Sequence, residues 1–274
     1  MKELFADLHI HTHCSDGFHS PREVVEMAAN AGLAGLSITD HDTVDGLEEG
    51  SREARRLGLR FLNGVEMSVA CCGQDFHLLG YDFDPTDPGL LSLLREAGEG
   101  RIRRAKRILN RLHSLGVDLP FEQVSRRSLR PAGIGRPHVA QALLEEGWVR
   151  SVPEAFARYL GSRAPAYVPK DPVDPPRALR VLRRAGGVAV LAHPASYRLH
   201  GAWDLFVREG LQGLETETGG RDAERAASLR RLADRFGLAR TGGSDFHGSG
   251  ISEIPVGGAR VDIRVLDDLA ARKG

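Results

Sequence analysis

Leu4-Phe5-Ala6-Asp7-Leu8-His9-Ile10 is a short apolar run that ends on metal-binding side chains, and His11-Thr12-His13-Cys14-Ser15-Asp16-Gly17 continues them. A run of this length with turn formers behind it reads as a β-strand. His9 and His11 are two apart, so on a strand both rings point to one side. The pattern recurs. Residues 33–39 (LAGLSIT) run into Asp40-His41-Asp42, and residues 59–66 (LRFLNGVE) end on Glu66. Residues 74–83 (QDFHLLGYDF) carry His77, and residues 187–192 (GVAVLA) lead to His193. Residues 237–244 (GLARTGGS) lead to Asp245-Phe246-His247. One His-x-His pair carries little weight, because a histidine is often a hydrogen-bonded core residue. Six such strand ends point to a site.

Helical patterns separate the strands. Ser20-Pro21-Arg22-Glu23 is a capping box with proline at the first helical position, and it opens a helix to about Ala31. A second helix spans about 44–57, others fall near 175–186, 203–209 and 222–236, and residues 211–217 (LQGLETE) form a further strand. Repeated strand–helix units predict an α/β fold with a parallel sheet. About seven units favour a closed or nearly closed barrel. The polar clusters would then share the face at the C-terminal strand ends, where such barrels carry their active sites. Residues 89–165 break the rhythm with helical spacing only, as in Ile102, Ala105, Ile108, Leu109 and Leu112. They read as an all-helical insertion of the substrate-capping kind. The barrel domain is then 1–88 and 166–274.

The 274 residues suffice for a large core, and 37 basic residues balance 37 acidic ones. No global field marks a nucleic-acid or membrane protein. Locally, Arg101–Arg111 (RIRRAKRILNR) holds six cations and no acid. This is either a solvated helix face or a surface for a polyanionic substrate. Cys14, Cys71 and Cys72 make no disulfide framework, which suggests a reducing compartment. No signal peptide and no apolar run of about 20 residues is visible. The expectation is a cytoplasmic protein with no obligate protein partner.

Imidazole and carboxylate together suit Mn²⁺, Fe²⁺ or Zn²⁺. The motifs DLHIHTHCSDG (7–17), ITDHDT (38–43), NGVEMS (63–68), HLLGY (77–81), LAHP (191–194) and GSDFH (243–247) resemble, in order, those of the PHP (polymerase and histidinol phosphatase) superfamily. That resemblance implies a distorted (β/α)7 TIM-like barrel and metal-dependent phosphoester hydrolysis with two or three divalent ions, manganese favoured. It implies that His9, His11, Glu66 and Asp245 hold a first ion. Glu66 would bridge to a second, bound also by His77 and His193, and Asp16, His41 and His247 would hold a third. A bridging water acidified by two cations would attack phosphorus. Asp245 and His193 stand out as residues needed for turnover. Asp7 and Asp40 read either as acceptors that fix a histidine tautomer or as plain strand-end residues.

Within the insertion, Gly135-Arg136-Pro137-His138 is similar to an element of the PHP subgroup that removes the 3′-phosphate from nucleoside 3′,5′-bisphosphates. Some members of that subgroup trim short RNA from its 5′ end. The resemblance implies that Arg136 binds a phosphate through its planar fork. It implies that His138 contacts the scissile phosphate or protonates the leaving oxygen. The plain alternative is a proline-started helix with a solvated arginine. Arg163 and Lys170 are secondary phosphate contacts on the same footing, and Tyr197 stacks on a base or simply packs. The chain departs from the subgroup after residue 214, where Glu215-Thr216-Glu217-Thr218-Gly219-Gly220 replaces an aromatic or histidine-containing stretch. The expected substrate is a small phosphorylated molecule, a nucleotide such as pAp. The alternatives are short RNA, histidinol phosphate (disfavoured by the insertion) and a non-catalytic interaction module, whose mark would be lost ligands.

Overall fold

The computed structural model describes residues 3–126, 134–171, 173–197, 203–219, 223–248 and 254–273. Among these residues eight strands form one sheet. They are β1 (Phe5–Ile10), β2 (Gly35–Ile38), β3 (Arg60–Cys71), β4 (Gln74–Tyr81), β5 (Val188–Leu191), β6 (Gly213–Glu217), β7 (Ala239–Gly242) and β8 (Val261–Asp262). Their order across the sheet is β7-β6-β5-β4-β3-β2-β1-β8.

The sheet nearly closes at β1. The first residues of β1 pair antiparallel with β8, Phe5 opposite Asp262. Its last residues pair with the segment after β7. Asp245 N donates to His9 O at 2.8 Å, and His11 N donates to Phe246 O at 2.9 Å. The close approach needs glycine at 243, where a Cβ would stand 2.3 Å from His9 N. Leu8, Leu62, Leu79, Val190 and Ala239 come from five different strands and share one buried cluster. An enclosing sheet brings such residues together.

The all-parallel expectation needs correction at β4. Strands β1, β2 and β3 run parallel to one another, as do β5, β6 and β7. Strand β4 runs antiparallel to both β3 and β5. The reason is the link: Cys72 and Gly73, with φ of 52° and 74°, form a two-residue turn. Two residues close a hairpin, whereas a parallel return needs a dozen or more.

The barrel helices follow the expected pattern. Helix α1 (Pro21–Asn30) starts on the Ser20–Glu23 capping box, and α2 (Leu47–Leu57) stops at Gly58 with φ 72°. Between β4 and β5 lie α3 (Pro88–Ser114), α4 (Phe121–Ser125), α5 (Arg136–Glu145), α6 (Val152–Ala155), a π-helical turn over Phe156–Leu160 and α7 (Pro175–Arg184). Helices α8 (Trp203–Arg208), α9 (Ala223–Arg235) and α10 (Val265–Ala270) complete the order. Helix α3 serves two cores. Leu90, Leu93 and Leu94 pack with the barrel residues, while Ile108, Leu109 and Leu112 join Val139, Leu143 and Leu160 in a separate helical cluster. That rigid helix ties the helical block to the barrel rim. No helix among the described residues is long and apolar enough to cross a membrane.

Candidate metal centre and its facing cationic wall

The nine side chains singled out in the sequence form one connected cluster. His9 Nε2 and His11 Nε2 lie 3.1 Å apart. Glu66 Oε2 is 3.4 and 3.1 Å from them, and Asp245 Oδ1 is 3.3 and 3.2 Å from them. Donor atoms about 2.0–2.1 Å from one shared ion have separations of this size. The other oxygen of Glu66, Oε1, lies 2.8 Å from His77 Nδ1 and 3.1 Å from His193 Nε2. One carboxylate thus faces two donor sets. A third set surrounds Asp16, with His247 Nε2 at 3.3 Å, His11 Nδ1 at 3.8 Å and His41 Nε2 at 3.9 Å. His11 faces two sets, one with each ring nitrogen. His41 does the same, its Nδ1 lying 3.1 Å from Glu66 Oε2.

Local structure explains how these groups converge. Glu66 lies mid-strand in β3, because the hairpin carries that strand past the barrel rim, and a bridge pairs it with His41. His77 comes from the antiparallel strand beside it. His193 and Asp245 adopt φ of 26° and 51°, a region side chains seldom occupy. Such strain persists only where the surroundings impose it, and functional sites are where it collects. Asp40 accepts from Thr12 N at 2.7 Å, Thr12 Oγ1 at 2.6 Å and Ser15 Oγ at 2.6 Å, which secures the loop that carries Asp16. Asp7 accepts from the backbone N–H groups of His9, Ser244 and Gly257. Both aspartates therefore staple backbone segments, and neither fixes a ring.

Glu215 fixes the ring instead. It is 1% exposed. Its Oε1 accepts from His9 Nδ1 at 3.0 Å, and its Oε2 accepts from His193 N at 2.6 Å. With the proton on Nδ1, His9 turns the lone pair of Nε2 toward Glu66, Asp245 and His11. Two facing imidazole lone pairs repel unless a cation lies between them. Four inward atoms, His11 Nδ1, Asp16 Oδ1, His41 Nδ1 and Glu66 Oε2, also meet no hydrogen-bond geometry among the described residues. Buried polar groups are rarely left so. The donor set thus fits divalent ions. Glu215→Gln is expected to weaken Mn²⁺ affinity about 10–100-fold, the usual effect of losing a ligand's outer partner. Titration against a competing chelator measures it, and an unchanged affinity contradicts the role.

Electrostatics point the same way. Burial opposes charge on Glu66, yet His41, His77 and His9 hold it well below the usual carboxylate range. Burial also opposes charge on His11, but Asp245 and Glu66 outweigh it and carry the ring to about 10.

A cavity of about 420 Å³ opens over this cluster. Its other wall carries Arg101, Arg104, Arg136 and Lys170. Arg101 is locked by Asp42, with Nε to Oδ2 at 2.6 Å, and by Ser68 Oγ at 3.0 Å. Arg104 donates to Val168 O at 2.8 Å, and burial together with Arg136 lowers it to about 10. Arg136 lies over the rings of Phe156 and Tyr167 and donates to Leu160 O at 3.2 Å. Lys170 Nζ is 2.7 Å from His77 Nε2, and burial with Arg101 nearby lowers it to about 8. Four crowded, partly desolvated cations with few carboxylates beside them make a receptor for an anion.

The helical face decides how the basic run 101–111 divides. Arg101 and Arg104, three apart, turn to the cavity, whereas Arg103 and Arg107 pair with Asp171 on the outside. The sequence reading left Arg101 and Arg104 in an undivided run and gave Glu215 and Asp42 no role; an i, i+3 projection of α3 would have separated the first pair. His138 does not line this cavity. Its Nδ1 accepts from Gly135 N at 3.1 Å, and its ring lines an adjoining cavity. Arg163 is exposed and stands apart from the cavity lining. Tyr197 lines the cavity, and its hydroxyl accepts from His77 N at 3.0 Å. Among the remaining histidines, His19 stacks on Phe246, His113 is exposed beside Asp118, and His200 lies outside the described residues.

Comparison with known proteins agrees with this geometry. Residues 7–158 match the PHP domain model. The chain belongs to the PHP family. It is 36% identical over 256 residues to the 3′,5′-nucleoside bisphosphate phosphatase of Chromobacterium violaceum, covering 92% of this chain and 90% of that one. It is 34% identical over 246 residues to the 5′-3′ exoribonuclease of Haemophilus influenzae, covering 88% and 89%. The crystal structure of a Bifidobacterium adolescentis protein described as a putative metal-dependent phosphoesterase superposes with a TM-score of 0.91 at 31% identity, covering 98% and 96% of the two chains. This PHP protein is accordingly a metal-dependent phosphoesterase.

Proposed function

We propose that this enzyme removes the 3′-phosphate of nucleoside 3′,5′-bisphosphates such as pAp. The observation that carries the reading is the pairing of two walls in one cavity. The nine-residue cluster faces Arg101, Arg104, Arg136 and Lys170. A substrate with two phosphates can place one on each wall. A substrate with one phosphate leaves either the cations or the cluster unmatched.

In this reading His9, His11, Glu66 and Asp245 hold one ion, Glu66, His77 and His193 a second, and Asp16, His41 and His247 a third. Manganese is favoured, with Fe²⁺ or Zn²⁺ accepted by the same donors. Divalent ions, when bound, supply Lewis acidity at phosphorus and lower the pKa of the attacking water. The chain does the rest. Arg136 presents its fork to the 5′-phosphate, held flat by Phe156 and Tyr167. Arg101 needs no reorganisation, because Asp42 and Ser68 already fix it. Phe156 and Tyr197 offer apolar faces to the base. His138, bonded to Gly135, shapes the turn that aims Arg136, and this is the role its placement supports in preference to contact with the scissile phosphate. Helices of residues 89–165 cap the barrel mouth and supply most of the cationic wall. The three cysteines are free thiols, which suits a reducing, cytoplasmic setting.

Phosphate release from pAp, 3′-AMP, 5′-AMP and histidinol phosphate by the Mn²⁺-loaded protein tests the reading. A kcat/KM for pAp at least about tenfold above each monophosphate is expected, since a charged hydrogen bond contributes about 1.5–3 kcal/mol. A preference for histidinol phosphate overturns it.

A further inference from the structure

Asp75 stands in the wall of the cavity over the metal cluster. It lies two residues before His77 on β4, so both side chains leave the same face of the strand, about 7 Å apart. The other carboxylates of that wall, Asp16, Glu66 and Asp245, belong to the donor sets. Asp75 belongs to none of them. Its charge is felt by Arg104, Arg136 and Lys170. Yet among the described residues no cation pairs with its carboxylate, and no N–H or O–H donates to it. A carboxylate left open in an anion receptor repels every phosphate nearby. A donor on the substrate offsets that repulsion.

Position says which donor. A nucleoside 3′,5′-bisphosphate offers the 2′-hydroxyl of its ribose and, in adenine, the exocyclic amine. The hydroxyl is on the carbon next to the one that carries the 3′-phosphate, whereas the amine is at the far edge of the base. With the 3′-phosphate at the donor set that includes His77, Asp75 is one side-chain step away, among the cations that hold the other phosphate. The ribose spans that interval. We propose that Asp75 selects the sugar: its carboxylate accepts a hydrogen bond from the 2′-hydroxyl and makes a ribonucleotide the preferred substrate over its 2′-deoxy counterpart. The inference rests on the functional reading above and deepens it. The backbone suits the role. Asp75 pairs with Ala70 across the hairpin, and Ala70 N donates to Val173 O at 3.1 Å, so the strand pair that presents the carboxylate is anchored. An ionised acceptor also binds a hydroxyl more strongly than a neutral one does.

The test measures kcat/KM for pAp and for its 2′-deoxy analogue with the Mn²⁺-loaded wild type, Asp75→Asn and Asp75→Ala. A hydrogen bond to a charged group sets the scale, so the wild type should favour pAp by about tenfold or more. In Asp75→Ala, which has no acceptor, the ratio should fall to within about twofold of one. Asp75→Asn keeps an accepting oxygen without the charge and should give an intermediate ratio. A carboxylate that only moderates the cationic wall predicts a different result. Asp75→Ala would then gain on both compounds by the same factor, and the ratio would stay where it was. That outcome overturns the proposal, as does a wild-type ratio near one. Both leave the functional reading standing, because pAp is still hydrolysed. Inactivity of the wild type on pAp overturns the functional reading and the proposal with it.

Discussion

Asp245→Ala and His193→Ala each lose turnover on pAp by about 10³-fold or more, with melting temperatures close to wild type. The size follows from the several kcal/mol of charge stabilisation that a metal centre contributes in the transition state. Asp245 Oδ1 stands 3.2–3.3 Å from both His9 and His11, so its removal opens the first donor set. His193 Nε2 stands 3.1 Å from Glu66 Oε1, so its removal opens the second. Both lie just past strand ends and outside the apolar clusters, which is why the fold should survive. Alanine keeps the Cβ, so the positive-φ strain at both positions remains in the variants. Bound manganese, measured by elemental analysis, should fall in parallel with kcat. Substantial activity in both variants contradicts the centre.

Arg136→Ala lowers kcat/KM for pAp by about 10²-fold and leaves bound metal unchanged. Truncating one partner of a desolvated charge pair costs about 2–5 kcal/mol, of which this is the lower part. The loss on 3′-AMP, which has no 5′-phosphate, should be much smaller. Arg136 is a cleaner probe than Arg101. Removing Arg101 leaves Asp42 buried without its ion-pair partner, at a cost of about 3–5 kcal/mol in stability. Equal losses on pAp and 3′-AMP in Arg136→Ala would place the arginine at the scissile phosphate and reverse the assignment of the two walls.

Strands β1 to β7 and the capping box of α1 were legible in the sequence because each follows from local rules, while the short β8 was not, and the grouping of His9, His11, Glu66 and Asp245 was legible through the resemblance of their motifs. Side-chain alternation, strand-end placement and turn chemistry are written into neighbouring residues. The reversal at β4 was legible too, had the two-residue Cys72-Gly73 link been weighed against the length a parallel return demands. Other features depend on long-range packing and left only faint marks. Glu215 joins His9 and His193 across 206 and 22 residues of sequence, and its neighbours carry no pattern that announces it. Asp42 reaches Arg101 across 59 residues, and only the docking of α3 on the barrel rim brings them together. The contact of His138 Nδ1 with Gly135 N in the first turn of α5 is likewise one that its motif did not announce.

The product of pAp hydrolysis tests the central claim most directly. Chromatography after a single turnover separates 5′-AMP from 3′-AMP. If the cluster around Glu66 attacks the 3′-phosphate while the arginines hold the 5′-phosphate, the product is 5′-AMP with one phosphate released. Formation of 3′-AMP would contradict that orientation, and an unaltered bisphosphate would contradict the assigned reaction.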